Sequence, residues 1–220
     1  RAAGTALFLL CWLSGTLSLC CRFHGSLEIT CLDVGQGDGA VIRTSQGACF
    51  LVDGGSSSQK KVGQYTILPF LKSRGIDRVD AVFVSHTDAD HINGIEEIFQ
   101  MIRTEQTSLR ISRLVFPGTT SEDPGREKLA LLAVQAGTEV SYMNVGDQVR
   151  AGPVSWQALS PPSKGQTGDI NEDSLVLLLE EGGFQGLFTG DIGEERESAL
   201  AGRLADCDFL KVAHHGSRYS

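Results

Sequence analysis

The chain has 220 residues, 41% hydrophobic and 21% charged; this fits one sizeable folded domain, alone or with an appendage, and excludes collagen-like and wholly disordered chains. With 19 basic residues against 27 acidic ones the net charge is −8, which argues against a basic nucleic-acid-binding module held on phosphate by a Lys/Arg excess. Phosphate chemistry here needs positive charge from another source, and bound metal ions are one.

No charged side chain lies between Arg1 and Arg22; without those two, 17 basic residues face 27 acidic ones and the remainder carries −10. The run roughly matches the ~20 residues that cross a bilayer. Residues 1–22 are read as a membrane-spanning segment or its end, and residues 23–220 as one domain. Two other readings stay open. A signal peptide lacks its A-x-A-like cleavage site, and a buried helix of a soluble protein is the plainer choice. Arginine at both ends leaves the span without an orientation. The chain starts without Met and reads as a piece of something longer. None of the six cysteines forms a Cys-x-x-Cys pair, against a zinc ribbon or redox motif. Cys31 and Cys49 read as buried thiols on strands.

Beyond the apolar run, residues 26–34 alternate apolar and polar and predict a strand, followed by a turn over 35–39 and strands over 40–44 and 48–52. Residues 64–74 predict a helix closed by Gly75, with Pro69 marking a kink or a late start. A buried strand over 79–85 precedes a helix over 93–101, and 114–116 is a short strand. An amphipathic helix over 126–135, entered through Pro124, stops at Gly137. Further strands fall at 139–143, 154–159, 174–180 and 184–189, the last two joined as a hairpin through Gly182 and Gly183. A helix over 194–204 and a strand over 208–213 complete the alternation, with loops at 117–126 and 160–172. This is a layered α/β domain.

Three segments carry chemistry. His86-x-Asp88-x-Asp90-His91 follows an apolar strand and precedes a helix, where ligands converge at a sheet edge. Two imidazoles and two carboxylates in one tight loop are costly unless cations neutralise them. An EF-hand is excluded, because Ile92 and Asn93 stand where its oxygen ligand and glycine belong. His214-His215 ends another apolar strand, and Gly190-Asp191 a third. Alone, the second could be a surface loop and the third a helix cap. Together they put metal-ligand residue types at three strand ends and could surround a pair of metals.

Asp53-Gly54-Gly55, the His86–His91 loop with Gly94, Thr189-Gly190-Asp191 and His214-His215-Gly216-Ser217 follow the motif order of the metallo-β-lactamase superfamily. More narrowly, Leu32-Asp33-Val34-Gly35-Gln36-Gly37-Asp38, Asn171-x-x-Ser174 and Leu210-Lys211-Val212-Ala213-His214-His215 resemble the hydrolase-like domain of ComEC-type DNA-internalisation competence proteins. The resemblance implies an αββα sandwich, truncated at its C-terminus, behind a transmembrane segment. It also implies two divalent ions (Zn²⁺ or Mn²⁺) held by His86, Asp88, Asp90, His91, Asp191 and His214 or His215, with Asp90 and Asp191 catalytic and Asp191 bridging. In that family the usual loop is His-x-His-x-Asp-His; here Asp88 takes the second histidine's place and Asn171 that of a third. Oxygen replaces nitrogen, which shifts preference from Zn²⁺ toward Mn²⁺.

Asn171 becomes a weak or indirect ligand, assigned with Lys211 and Ser217 to substrate, although Lys211 on a strand is as readily solvated. The Gly35–Gly39 stretch lacks dinucleotide-fingerprint spacing and reads as a hairpin turn, with Asp38 lining the site rim; no nucleotide cofactor is expected. Asp53 is assigned to bracing the loop, and His24 to the surface. The implied function is metal-dependent hydrolysis of a DNA strand during uptake, by an extracytoplasmic domain of a multi-pass membrane protein. The rivals are another cell-envelope phosphoester hydrolase and a non-catalytic metal-braced module of a DNA channel.

Overall fold

Successive residues of a strand point to opposite faces, and this chain uses both faces of its central strands. The structure, a computed structural model, describes residues 4, 5, 8, 10–14, 25–164, 166–202, 204 and 206–216. Strands β1 (Glu28–Cys31), β2 (Ala40–Arg43) and β3 (Cys49–Val52) form a meander; a π-helical turn (Gly63–Ile67) and helix α1 (Leu68–Ser73) lead to β4 (Arg78–Val79) and β5 (Ala81–Phe83). Helix α2 (Ala89–Arg103) precedes β6 (Arg110–Ile111) and β7 (Arg113–Pro117), and α3 (Pro124–Gln135) precedes β8 (Glu139–Met143). Then come β9 (Gln148–Ala151), β10 (Val154–Ser160), β11 (Val176–Glu181), β12 (Phe184–Phe188), α4 (Glu194–Ala201), β13 (Phe209–Lys211) and a 3₁₀ turn (Ala213–Gly216).

One sheet runs β1-β2-β3-β5-β7-β8 and the other β13-β12-β11-β10-β9, with β4 and β6 as a small separate ladder. On the first sheet Val41, Leu51, Val82 and Leu114 face Leu71, Ile95, Phe99 and Leu129 of the helices. Their neighbours Ile42, Phe50, Phe83 and Val115 turn the other way, onto Trp156, Leu177, Leu179 and Phe188 of the second sheet. Trp156 is fully buried, its ring centroid 5.3 Å from Phe50, 4.8 Å from Phe83 and 5.6 Å from Phe188. Val176 and Leu187 on the far face pack with Ile192, Ala213 and Leu200 of α4. The layers are therefore helix, sheet, sheet, helix, the expected αββα order.

β3, β5 and β7 are parallel neighbours, and β12 is parallel to β13. Their carboxyl ends, where loops leave a sheet and ligands gather, carry the chemistry-bearing segments.

Several expectations need correction. Helix α2 begins at Ala89 rather than residue 93, because Asp88, an N-cap residue type, is already extended (φ −64, ψ 148). Of the two readings of Pro69 the late start holds: it sits in the first turn of α1, which begins at Leu68 rather than residue 64, and its missing N–H is no loss there. Strand β9 was not expected, being only four residues with two of them polar. Cys49 is buried, but Cys31 is exposed because β1 is the edge strand. Residues 4, 5, 8 and 10–14 are helical, and the rest of the expected span over 1–22 lies outside the described residues. Among those described, no helix is long and apolar enough to cross a membrane. Ser217 and the expected C-terminal truncation also lie outside them.

A candidate metal centre at the strand ends

Asp53 follows β3, and His86 lies three residues past β5, its parallel neighbour. The Asp53 N–H donates to Phe83 O at 2.9 Å, so the two strand ends are tied before any side chain acts. The Asp53 carboxylate then accepts the Ser85 N–H at 2.7 Å on Oδ1, while its Oδ2 stands 3.1 Å from His91 Nδ1. Gly54 donates to His91 O at 2.8 Å and accepts from Ile95 N–H at 3.1 Å, clamping the first turn of α2 onto the β3 end. A Cβ on Gly55 would lie 2.4 Å from the Asp90 carbonyl carbon; only glycine lets the chains approach so closely.

Asp38 arrives through strand register. Ala40 pairs with Val52, so the β1–β2 turn lies beside Asp53. Asp38 donates its N–H to Asp90 O at 3.0 Å and accepts from Gly55 N–H at 2.9 Å. From the second sheet, Asp191 follows β12 and His214 and His215 follow β13. Both histidines have left-handed backbones (φ 49 and φ 54), as does Asp53 (φ 55). Such conformations are uncommon outside glycine and cost about 1–3 kcal/mol each, a strain concentrated here at the site.

The side chains meet between the sheets. Asp38, His91, Asp191 and His215 each offer an atom within 4.8 Å of the others, a group that could hold a metal ion. His91 Nε2 stands 3.3 Å from Asp191 Oδ2 without hydrogen-bond geometry; His215 Nε2 lies 3.7 Å from the same oxygen and 3.4 Å from Asp90 Oδ2. His215 Nδ1 is 3.4 Å from Asp38 Oδ1. Lys211 Nζ pairs with Asp38 and stands 3.7 Å from Asp191. His86, 2% exposed, has Nδ1 at 3.0 Å from Ser85 Oγ, and Nε2 3.6 Å from Asp88 with no hydrogen bond. The rings of His86 and His91 are 3.9 Å apart.

His214 is half exposed, reaching Asp191 Oδ1 by its backbone N–H at 3.2 Å and Oδ2 by its ring only at 4.0 Å. Asn171 sits before β11 with a buried, unpartnered Oδ1 and no contact to the histidines among the described residues. Gly190 (φ 60) leaves no room for a Cβ between Ser85 and Ser174, each 2.9 Å from that point, and so lets the β12 end close against the His86 loop.

The donors fit divalent ions. His86 and His91 each have Nδ1 beside an oxygen partner and Nε2 buried without a hydrogen bond, the arrangement in which a neighbouring oxygen orients an imidazole whose other nitrogen is free to ligate. Burial alone would lower the His91 pKa, yet Asp53 and Asp191 raise it from 6.5 to about 10. Burial would raise Asp53 and Asp191, but His91 chiefly holds both carboxyls below 3.8. Asp88 is lowered by the facing His86 imidazole. Without metal, a proton on His91 thus does the work of a cation.

That proton makes the stability of the metal-free chain depend on pH. The raised His91 contributes fully below pH 6.5 and loses its contribution as pH rises through about 10; the lowered carboxyls contribute above pH 3.8 and lose it below. Melting in EDTA is expected to be highest between about pH 4 and 6.5 and to fall toward pH 10. A melting temperature that climbs over pH 7–10 would contradict this arrangement.

Sequence reasoning assigned Asp38 to the rim, whereas the structure brings it into the donor group; the readable signal was its position two residues before a strand paired with the one ending at Asp53. Ser85, beside both His86 and His91, was missed. Its place directly before the histidine loop was the only sequence clue.

The comparisons with known proteins agree with this geometry. Residues 49–215 match the family model described as "Beta-lactamase superfamily domain". The chain is 29% identical over 208 residues to "ComE operon protein 3" of Bacillus subtilis (strain 168), covering 88% of this chain and 26% of that protein. It is 28% identical over 194 residues to "Recombination protein 2" of Haemophilus influenzae, covering 88% and 22%. The chain therefore spans about a quarter of the length of these relatives. Among solved structures, a metallo-β-lactamase from Cronobacter sakazakii superposes with a TM-score of 0.56 at 16% identity, covering 86% of this chain and 75% of that one; this likeness concerns fold alone.

Proposed function

The chain belongs to the β-lactamase superfamily, and from that premise we propose that it is a metal-dependent phosphodiester hydrolase acting on a DNA strand during uptake. One observation carries the reading: donors from four separate segments converge within 4.8 Å, and one of them, His91, keeps an Nε2 that makes no hydrogen bond. We assign one divalent ion to Asp38, His91, Asp191 and His215, with Asp90 beside them, and a second to His86, Asp88 and Asp191, with Asn171 toward substrate. Bound divalent ions lower the pKa of water toward ~7 and neutralise charge on phosphate oxygens.

The chain's own residues do the rest. Asp53 holds His91 by Nδ1 and keeps its Nε2 turned toward Asp191. Lys211, released from Asp38 when substrate enters, donates to a phosphate oxygen. Asp90, partly exposed beside His215, accepts the proton of the attacking water. The acidic remainder of the chain repels a polyanion elsewhere, so attraction is local. The apolar run ahead of the domain is what supports a domain carried by a membrane protein, and the relatives are about four times longer than this chain.

The test is hydrolysis of a labelled single-stranded oligonucleotide by the purified chain with EDTA, Zn²⁺ or Mn²⁺. No cleavage is expected in EDTA, and Mn²⁺ is expected to support it at least as well as Zn²⁺, because the donors are oxygen-rich. Cleavage that persists in EDTA, or hydrolysis of phosphocholine esters in place of DNA, overturns the reading.

A further inference from the structure

A groove of about 960 Å³ opens at the end of the sandwich opposite the metal-ligand residues. The topology fixes that placement. Strands β3 and β5 run from Cys49 and Ala81 in the groove to Val52 and Phe83 beneath the donor group, and β2 runs back from Ala40 beside that group to Arg43 in the groove. The two sites are thus at least a strand apart, about 13 Å for four residues.

The groove is lined by Arg43, Arg78, Arg110, Arg113 and Arg150 and by no lysine. Five of the chain's 19 basic residues gather here although the chain carries −8. The acidic lining is Asp77, Asp80 and Glu139, so the walls carry +2. Two arginines are neutralised locally: Arg78 pairs with Asp80 at 3.2 Å and Arg113 with Glu139 at 3.0 Å. Arg43, Arg110 and Arg150 have no carboxylate partner among the described residues, and all three are exposed.

Two further features set this apart from scattered surface charge. Arg78 and Arg110 are register partners in the parallel β4–β6 ladder, which sets the unpaired Arg110 beside the paired Arg78 and concentrates guanidinium groups on one wall. The Nε of Arg113 is buried without a hydrogen-bond partner. Guanidinium forks match phosphate oxygens two at a time. Phe50 is the groove's one aromatic lining residue and is 1% exposed, so no platform for base stacking is offered and contact would be to the backbone, independent of sequence.

We propose that this groove is a second nucleic-acid site, which holds a single strand by its phosphates at the end of the domain away from the hydrolytic centre. The occupant follows from the function proposed above; the anion-binding chemistry stands on the arginines themselves.

The test is fluorescence anisotropy of a labelled 12-nucleotide single strand with the intact chain in EDTA, where the acidic donor group repels DNA and no cleavage is expected. The probe is expected to bind with a steep salt dependence. The exposed triple variant R43Q/R110Q/R150Q is expected to weaken binding about tenfold or more and to flatten the log–log salt slope by about 2. Its Mn²⁺-dependent cleavage of a small phosphodiester, bis-p-nitrophenyl phosphate, is expected to stay unchanged. Binding that the triple variant leaves intact overturns the groove, as does displacement of the strand by poly-glutamate as readily as by unlabelled strand, which would mark an acidic protein as the occupant. Loss of all metal-dependent hydrolysis in the parent chain, with strand binding retained, overturns the hydrolase reading and leaves the groove standing.

Discussion

Asp191→Asn is expected to abolish hydrolysis while leaving the fold intact. Asp191 is 4% exposed and stands 3.3 Å from His91, 3.7 Å from His215 and 3.7 Å from Lys211. Like Asp38, it faces both histidine loops and the lysine, but from the second sheet. Asparagine keeps its shape and the acceptor for the His214 N–H, so the circular dichroism spectrum should not change. What goes is the negative charge that offsets a second cation. At least one metal per chain should be lost, read by elemental analysis, and the rate should fall about 10²–10³-fold or more, as when an electrostatic stabiliser of charge is removed.

Asp53→Asn is the contrasting case. Asp53 is 2% exposed and is held by the Ser85 N–H and His91 Nδ1. Its loss should lower the melting temperature and weaken metal binding about 10–100-fold, the size expected when a group that orients a ligand is removed. An Asp191→Asn protein that keeps both metals and full activity would overturn the bridging assignment.

The second large effect is on the core. Trp156→Ala empties the centre of the interface between the sheets, where Phe50, Phe83 and Phe188 surround the indole. Large aromatic to alanine substitutions in such positions cost about 3–5 kcal/mol, a large share of the about 5–15 kcal/mol that holds a typical domain folded. The urea midpoint should drop accordingly. Because β3 and β5 carry Phe50 and Phe83 toward Asp53 and His86, loosening of the two sheets should also weaken metal binding. A variant with an unchanged midpoint would mean that the sheets do not depend on this contact.

Strand interiors and their alternation were legible from residues alone. Phe50 between Cys49 and Leu51, or Val115 between Leu114 and Phe116, cannot serve two faces unless both faces are covered, and the two cores confirm that both are. Residue chemistry likewise marked His86, Asp90, His91 and Asp191, because so many costly polar groups beside apolar strands need a reason. Helix boundaries were less readable. The periodic apolar residues of α2 begin at Ile92, but the helix begins earlier, at Ala89, where hydrogen bonds to the Asp53–Gly55 turn hold its first residues.

Asp38 shows what local sequence could not decide. Nothing in Gly37-Asp38-Gly39 distinguishes a rim residue from a metal ligand. The difference comes from the pairing of Ala40 with Val52 and from the packing of one sheet on the other, which set Asp38 against His91, Asp191 and His215 from distant parts of the chain. The arginine groove has the same origin: Arg43, Arg78, Arg110, Arg113 and Arg150 lie on five different strands. Composition reported only their acidic surroundings, a net of −8. Residue patterns alone were enough for the layered α/β class and for the residue types able to bind metal, because periodicity and the cost of burying charge are local properties. Which of those residues meet, and at which end of the sandwich the unpaired cations collect, was decided by tertiary structure, because strand order and sheet packing join residues that no sequence spacing relates.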